Sequence, residues 1–196
     1  MRRRVHQALH SATAADHRAL DHHRMLRRLT GSELTPEQYA ESLAAMFRPH
    51  VQLERLVHES RHHFETGIRL SPRIELMTAD LLELAWPVPM VSPDPAAPSD
   101  DRAAWWGRVY VLEGSRLGGA FIARRIHASL GDHLPCRFFS EATGSGDYAT
   151  VLALLERELE KPFALEQAAA SARAAFAAYT AELDRFAGAR RDREIC

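Results

Sequence analysis

The side chains of this sequence best suited to metal chemistry are histidines and carboxylates at helical spacing. Within LHSATAADHRALD, Thr13, His17 and Asp21 stand at i, i+4 and i+8, so they share one face of any helix formed there. A carboxylate four residues after a histidine accepts one ring N–H. It thereby fixes the tautomer and raises the basicity of the nitrogen left for a metal. The competing reading is an exposed histidine with an incidental aspartate neighbour. A second set, Glu54, His58, Glu59 and His62, contains Glu-x-x-His. Two copies of that motif, with further glutamates, would build a di-iron centre in a helical bundle. Only one copy is present, which favours a solvated helix face. His22, His23, His62 and His63 fall in polar runs and His133 in a loop, where a surface position is the simplest reading.

A different kind of signal sits in GSRLGG, Gly114 to Gly119, where three glycines occur in six residues of a run that is otherwise helical. Each glycine costs a helix about 1 kcal/mol against alanine. Gly114 and Gly118 align on one face, with Ser115 and Gly119 beside them, giving a strip of nearly bare backbone. Such a strip suits a close helix crossing or a surface against which a flat ligand lies, and spacing alone favours the crossing. There is no G-x-S-x-G, no P-loop and no glycine fingerprint following a strand. Nucleophilic catalysis and nucleotide binding therefore lack their usual apparatus, and the chemistry belongs to a bound group.

The elements that must position these residues are all helical. Apolar residues recur at three or four residue steps from Arg3 to about Leu29, and Gly31 ends that helix. Thr35 caps a second helix with Pro36 at its first position; it runs to about Phe64, with a kink expected near Arg48 to His50 at Pro49. Ser71 and Pro72 begin a third. The segment from Trp86 to Ser99 holds five prolines and is an extended connection. Ser99 then caps the glycine-bearing helix, with Asp100 and Asp101 in its first turn. Phe138 and Phe139 anchor a loop-like stretch to the core. Helices follow from about Tyr148 to Lys161 and from Ala164 to about Phe186, the latter rich in alanine, and a frayed tail closes the chain from Gly188. No stretch alternates with period two, so the fold class is all-α, a single-domain helical bundle spanning 1–196.

Composition agrees. A chain of 196 residues that is 46% hydrophobic supports one core. With 25 basic and 26 acidic residues the formal net charge is -1, which points to neither nucleic acid nor an acidic membrane as partner. Cys136 and Cys196 show no zinc or disulfide spacing. No apolar run approaches the roughly 20 residues that span a bilayer, and no signal sequence opens the chain, so a cytoplasmic location is expected.

YVLEGSRLGG, Tyr110 to Gly119, closely resembles the distal-helix signature of haem oxygenases, above all the bacterial branch that supplies biliverdin to phytochromes. LHSATAADHRALD, Leu9 to Asp21, resembles the proximal helix of the same family, with a threonine four residues before the ligand histidine. LTPEQYAESLAAMFRPHVQLE, Phe138 with Phe139, and ARAAFAAYTAEL extend the resemblance over nearly the whole chain. It implies a haem-oxygenase-like bundle with a glycine-kinked distal helix, and oxidation of haem to biliverdin, carbon monoxide and ferrous iron. Haem would be substrate and cofactor together, oxygen the oxidant, and an external reductase or ferredoxin the electron source, since the chain has no flavin or nicotinamide motif. A biliverdin-accepting photoreceptor is a further implied partner.

By the same resemblance His17 is the iron ligand and Asp21 its carboxylate partner, while Gly114, Ser115, Gly118 and Gly119 form the distal wall. Tyr110 neighbours the haem propionates and Phe176 faces the pocket. Lysines are missing where the family pairs them with propionates, which leaves His10 and Arg4 as the nearest candidates. Animal members carry aspartate where Ser115 stands. A haem carrier without turnover, a di-iron or small-molecule member of the same architecture, and a module whose glycine strip packs on a partner helix remain alternatives at this point.

Overall fold

Helix signals govern the chain throughout. The structure, a computed structural model, describes residues 4–92, 101–141 and 148–194. Among them lie α1 (Arg4–Asp21), α2 (Arg24–Arg27), α3 (Pro36–His58), α4 (Arg61–Thr66), α5 (Ile74–Glu83), α6 (Arg102–Leu130), α7 (Arg137–Ser140), α8 (Tyr148–Glu158) and α9 (Pro162–Glu194), with no strand among the described residues. None of these helices is long and apolar enough to cross a membrane.

The start of α3 follows from its sequence. The Thr35 hydroxyl accepts from the Gln38 N–H while the Gln38 side chain accepts from the Thr35 N–H, and Pro36 fills the first position. This reciprocal cap satisfies two N–H groups that would otherwise be orphaned. Pro49 lies inside α3, yet the helix continues past it to His58. The first helix, expected to reach Leu29, stops at Asp21 instead. His23 interrupts it: its ring accepts from the Met25 N–H to cap α2, and its Nε2 lies 3.2 Å from Asp184 of α9. That tertiary anchor redirects the chain so that Met25 and Leu29 enter the core.

Other boundaries differ from expectation as well: α3 stops at His58 rather than near Phe64, where Ser60 caps the separate α4, and α5 begins at Ile74 rather than at Ser71. The acceptor that caps α6 is Asp101, bonded to the N–H groups of Ala103 and Ala104; Ser99, Asp100 and the proline connection from Pro93 lie outside the described residues. The last helix passes through Gly188 to Glu194 rather than ending near Phe186.

Burial divides the core between two clusters. One gathers Val5 and Leu9 of α1, Trp105, Trp106 and Val109 of α6, and Ala168, Ala172 and Phe176 of α9. The other gathers Leu43 and Phe47 of α3 with Met77, Leu81, Phe138 and Phe139. The most extensive helix contact is between α6 and α9, and within it Gly107 lies against the Ala168 backbone. A Cβ built there would stand 2.1 Å from the Ala168 carbonyl oxygen, a separation no side chain can occupy. The alanine run of α9 and a glycine of α6 thus let two backbones touch. The glycine of this crossing is Gly107, outside the GSRLGG strip.

Candidate functional site

Between α1 and α6 the bundle opens into a cavity of about 540 Å³, within the size range of ligand sites. One wall is α1, contributing His6, His10, His17, Leu20 and Asp21. Opposite it α6 contributes Tyr110, Val111, Gly114, Ser115, Leu117, Gly118 and Ile122. The floor comes from Met46 and His50 of α3, Phe138 and Phe139 of α7, Phe176 and Tyr179 of α9, and Arg73 just before α5.

On the α1 side the stripe Val5, Leu9 and Thr13 is buried and fixes the rotation of the helix. Thr13 donates to the Leu9 carbonyl at 2.8 Å. His17, one turn on, reaches the cavity. Its Nδ1 lies 2.8 Å from the Asp21 carboxylate, with both side chains 57% exposed. A carboxylate only accepts, so Nδ1 carries the ring proton and Nε2 holds the lone pair that a metal needs. The Phe176 ring meets His17 edge to face at 5.5 Å between centroids and limits its rotation.

Across the cavity, Gly114 and Gly118 present bare backbone. A Cβ added at either would meet nothing within 4 Å. These glycines therefore do not accommodate a packed helix, in contrast to Gly107. Gly119, expected in the same wall, is buried in the bundle and does not line the cavity. Ser115 does line it, but its hydroxyl donates back to the Leu112 carbonyl at 2.7 Å and accepts from Arg73 Nη2 at 2.6 Å. Its single proton is thus spent inside its own helix.

Arg73 is a residue that sequence reasoning missed. It is 1% exposed, its Nε is buried without a partner, and its guanidinium stacks 4.8 Å from the Phe138 ring centroid. Burial first, and then the neighbouring Arg116, bring its pKa down to about 10, still a cation at neutral pH. Also missed were His50 and Tyr179. Burial is the main cause that depresses the His50 pKa, and it raises that of Tyr179. Neutral His50 donates from Nε2 to Glu54 at 3.0 Å and accepts at Nδ1 from the Tyr179 hydroxyl at 2.8 Å. The available signal was His50 and Glu54 at i and i+4, the same spacing as His17 and Asp21.

Glu54 consequently does not belong to a solvated face: it is 4% exposed. His62 is buried as well, 3.2 Å from Glu65, whereas Glu59 is largely exposed. No group of three or more His, Cys, Asp or Glu side chains among the described residues could hold a metal ion, so the set expected for a di-iron centre does not assemble. His10 and Tyr110 line the cavity; Arg4 is exposed and does not.

No family model matches the chain. A curated relative from Xanthomonas campestris pv. campestris (strain 8004), named heme oxygenase, is 34% identical over 115 residues, covering 57% of this chain and 67% of the relative. Among solved structures, the NO- and CO-bound heme oxygenase from Neisseria meningitidis superposes with a TM-score of 0.73 at 21% identity, over 94% of this chain and 92% of that one. Heme oxygenase-1 from the cyanobacterium Synechocystis sp. PCC6803, in complex with heme, gives a TM-score of 0.68 at 13% identity, over 94% of this chain and 92% of that one.

Proposed function

The chain belongs to the haem oxygenase family, and on that footing we propose that the cavity between α1 and α6 holds haem, with His17 Nε2 as the ligand of its iron. The protein is a haem-degrading monooxygenase that opens haem to biliverdin, carbon monoxide and ferrous iron. The observation that supports the site best is the emptiness in front of Gly114 and Gly118, where even a Cβ would touch nothing. A helix gives up about 1 kcal/mol at each such glycine, and a flat macrocycle lying against the backbone is the occupant that accounts for it. The lining fits haem: an imidazole on one side, bare backbone on the other, and apolar Met46, Val111, Phe138 and Phe139 between them.

Bound haem supplies both the iron that activates oxygen and the ring that is oxidised. The protein's part is placement and dielectric. Asp21 holds His17 in the tautomer that offers Nε2. Phe176 keeps the imidazole plane fixed, and His10 and Tyr110 are the polar groups for the haem carboxylates. On the distal side the helix backbone brings no acid or base close to the ring. Ser115 has already given its proton to Leu112, so the donor there is Arg73, a buried cation directed at the same hydroxyl. Electrons come from a separate reductase or ferredoxin, and a photoreceptor that binds biliverdin is a fitting consumer of the product.

Haemin titration tests the site. Wild-type protein gives a saturable Soret band of a histidine-ligated complex, and His17→Ala loses that axial ligation. An unchanged ligation spectrum in His17→Ala would remove His17 from the site.

A further inference from the structure

Glu54 ties together two residues of the cavity floor, Arg73 and His50, and the start of α5, without lining the cavity itself. From α3 its Oε1 accepts the Arg73 N–H at 2.6 Å and the His50 Nε2–H at 3.0 Å, and its Oε2 accepts the Ile74 N–H at 3.2 Å. Arg73 is the N-cap residue of α5 and has no side-chain cap of its own. The free N–H groups at that helix start are therefore satisfied by a carboxylate from another helix. The same contact fixes the backbone from which the Arg73 side chain reaches Ser115. Glu54 is ionised: burial pushes its pKa up, but the His50 imidazole and the two backbone N–H groups outweigh this and leave it below the usual carboxylate value.

We propose that Glu54 is a positioning residue of the haem site, acting through Arg73 and His50: its carboxylate aims the buried guanidinium at Ser115 and sets the proton order of the Tyr179, His50, Glu54 chain. The proposal rests on the haem reading of the cavity. An aspartate at 54 keeps the charge but is one methylene shorter, so it cannot reach the Arg73 and Ile74 N–H groups while it holds His50. With the backbone at 73 released, the guanidinium leaves Ser115.

The pH at which the ferric haem complex passes from its acid to its alkaline spectrum reads this out. A nearby cation favours the deprotonated form of iron-bound water and lowers that pH. Arg73→Met should raise the transition, and one charge roughly 12 Å away at an effective dielectric near 20 corresponds to about one pH unit. If Glu54 acts by positioning, Glu54→Asp raises it too although the charge is kept, and adds nothing in the Arg73→Met background. If Glu54 acted only as a charge, Glu54→Asp would leave the transition in place. No change or a fall in Glu54→Asp overturns the proposal. Should Glu54→Asp fail to melt cooperatively, Glu54→Leu is compared in the wild-type and Arg73→Met backgrounds: positioning makes its change more positive in the first, and equal changes overturn the proposal. Wild-type protein that binds no haem would instead overturn the reading of the cavity.

Discussion

Two glycine-to-alanine substitutions in one helix should have opposite effects. Gly107 and Gly114 both lie within α6, seven residues apart, and local sequence preferences treat them alike. At each, alanine improves helix propensity by about 1 kcal/mol. At Gly114 nothing stands within 4 Å of the new Cβ, so the gain is unopposed. Haem-free Gly114→Ala should be more stable by about 1 kcal/mol, a rise in Tm of about 2–4 °C for a chain of this length. At Gly107 the Cβ would fall 2.1 Å from the Ala168 carbonyl oxygen and 3.0 Å from its Cα. The backbone of α9 must move, and overpacking of this kind costs about 1–3 kcal/mol or more. Gly107→Ala should melt several degrees lower. Haem binding reverses the order. The Gly114 methyl enters the wall on which the ring lies, so the same overpacking range weakens haem affinity by roughly 5- to 150-fold, while Gly107 stands away from the cavity. Circular-dichroism melts of the haem-free proteins and Soret titrations measure both quantities. A destabilised Gly114→Ala, or one with wild-type haem affinity, would refute the argument that its open face is the ligand wall.

Asp21→Asn should leave His17 as the ligand but deprive Nδ1–H of its charged acceptor. Partners of this type typically contribute 10- to 100-fold to affinity, and the exposure of the pair places the loss near tenfold. A haem titration, with the iron–histidine stretching frequency shifted down, checks it. The buried His50 gives a pH signature. Burial holds its folded pKa below the ordinary histidine value of about 6.5, so it stays neutral while the unfolded chain takes up a proton. Stability from this group is complete above about pH 6.5 and falls as pH drops through its folded pKa, by at most about 1.4 kcal/mol per pH unit. Urea melts between neutral and mildly acidic pH should show that slope, reduced in His50→Gln; an equal slope in the variant would place the titration elsewhere.

What the sequence made legible was local. The Thr35 cap, Pro36 at the helix start and the His17 and Asp21 contact are all contained within one or two turns, and the structure shows each of them. Phe138 and Phe139 are buried anchors as expected. The misses share a physical origin in partners distant along the chain. The first helix breaks at His23 because Asp184 holds that ring, 161 residues away. The N-terminus of α5 is satisfied by Glu54, 19 residues before Arg73, so no local cap marks it. Glu54 itself looked solvated because its neighbours are polar, whereas burial depends on what α5 and α6 place over it. The glycines show the same limit. Gly107 and Gly114 differ only in what lies opposite, backbone in one case and empty space in the other.

This chain oxidises the haem it binds, and turnover tests that directly. The haemin complex, supplied with a reductant and oxygen, is followed through its visible spectrum with the products extracted. Loss of the Soret band with stoichiometric appearance of biliverdin and carbon monoxide is the predicted result, abolished in His17→Ala. A haem complex that is reduced and binds oxygen yet returns its haem intact would contradict it.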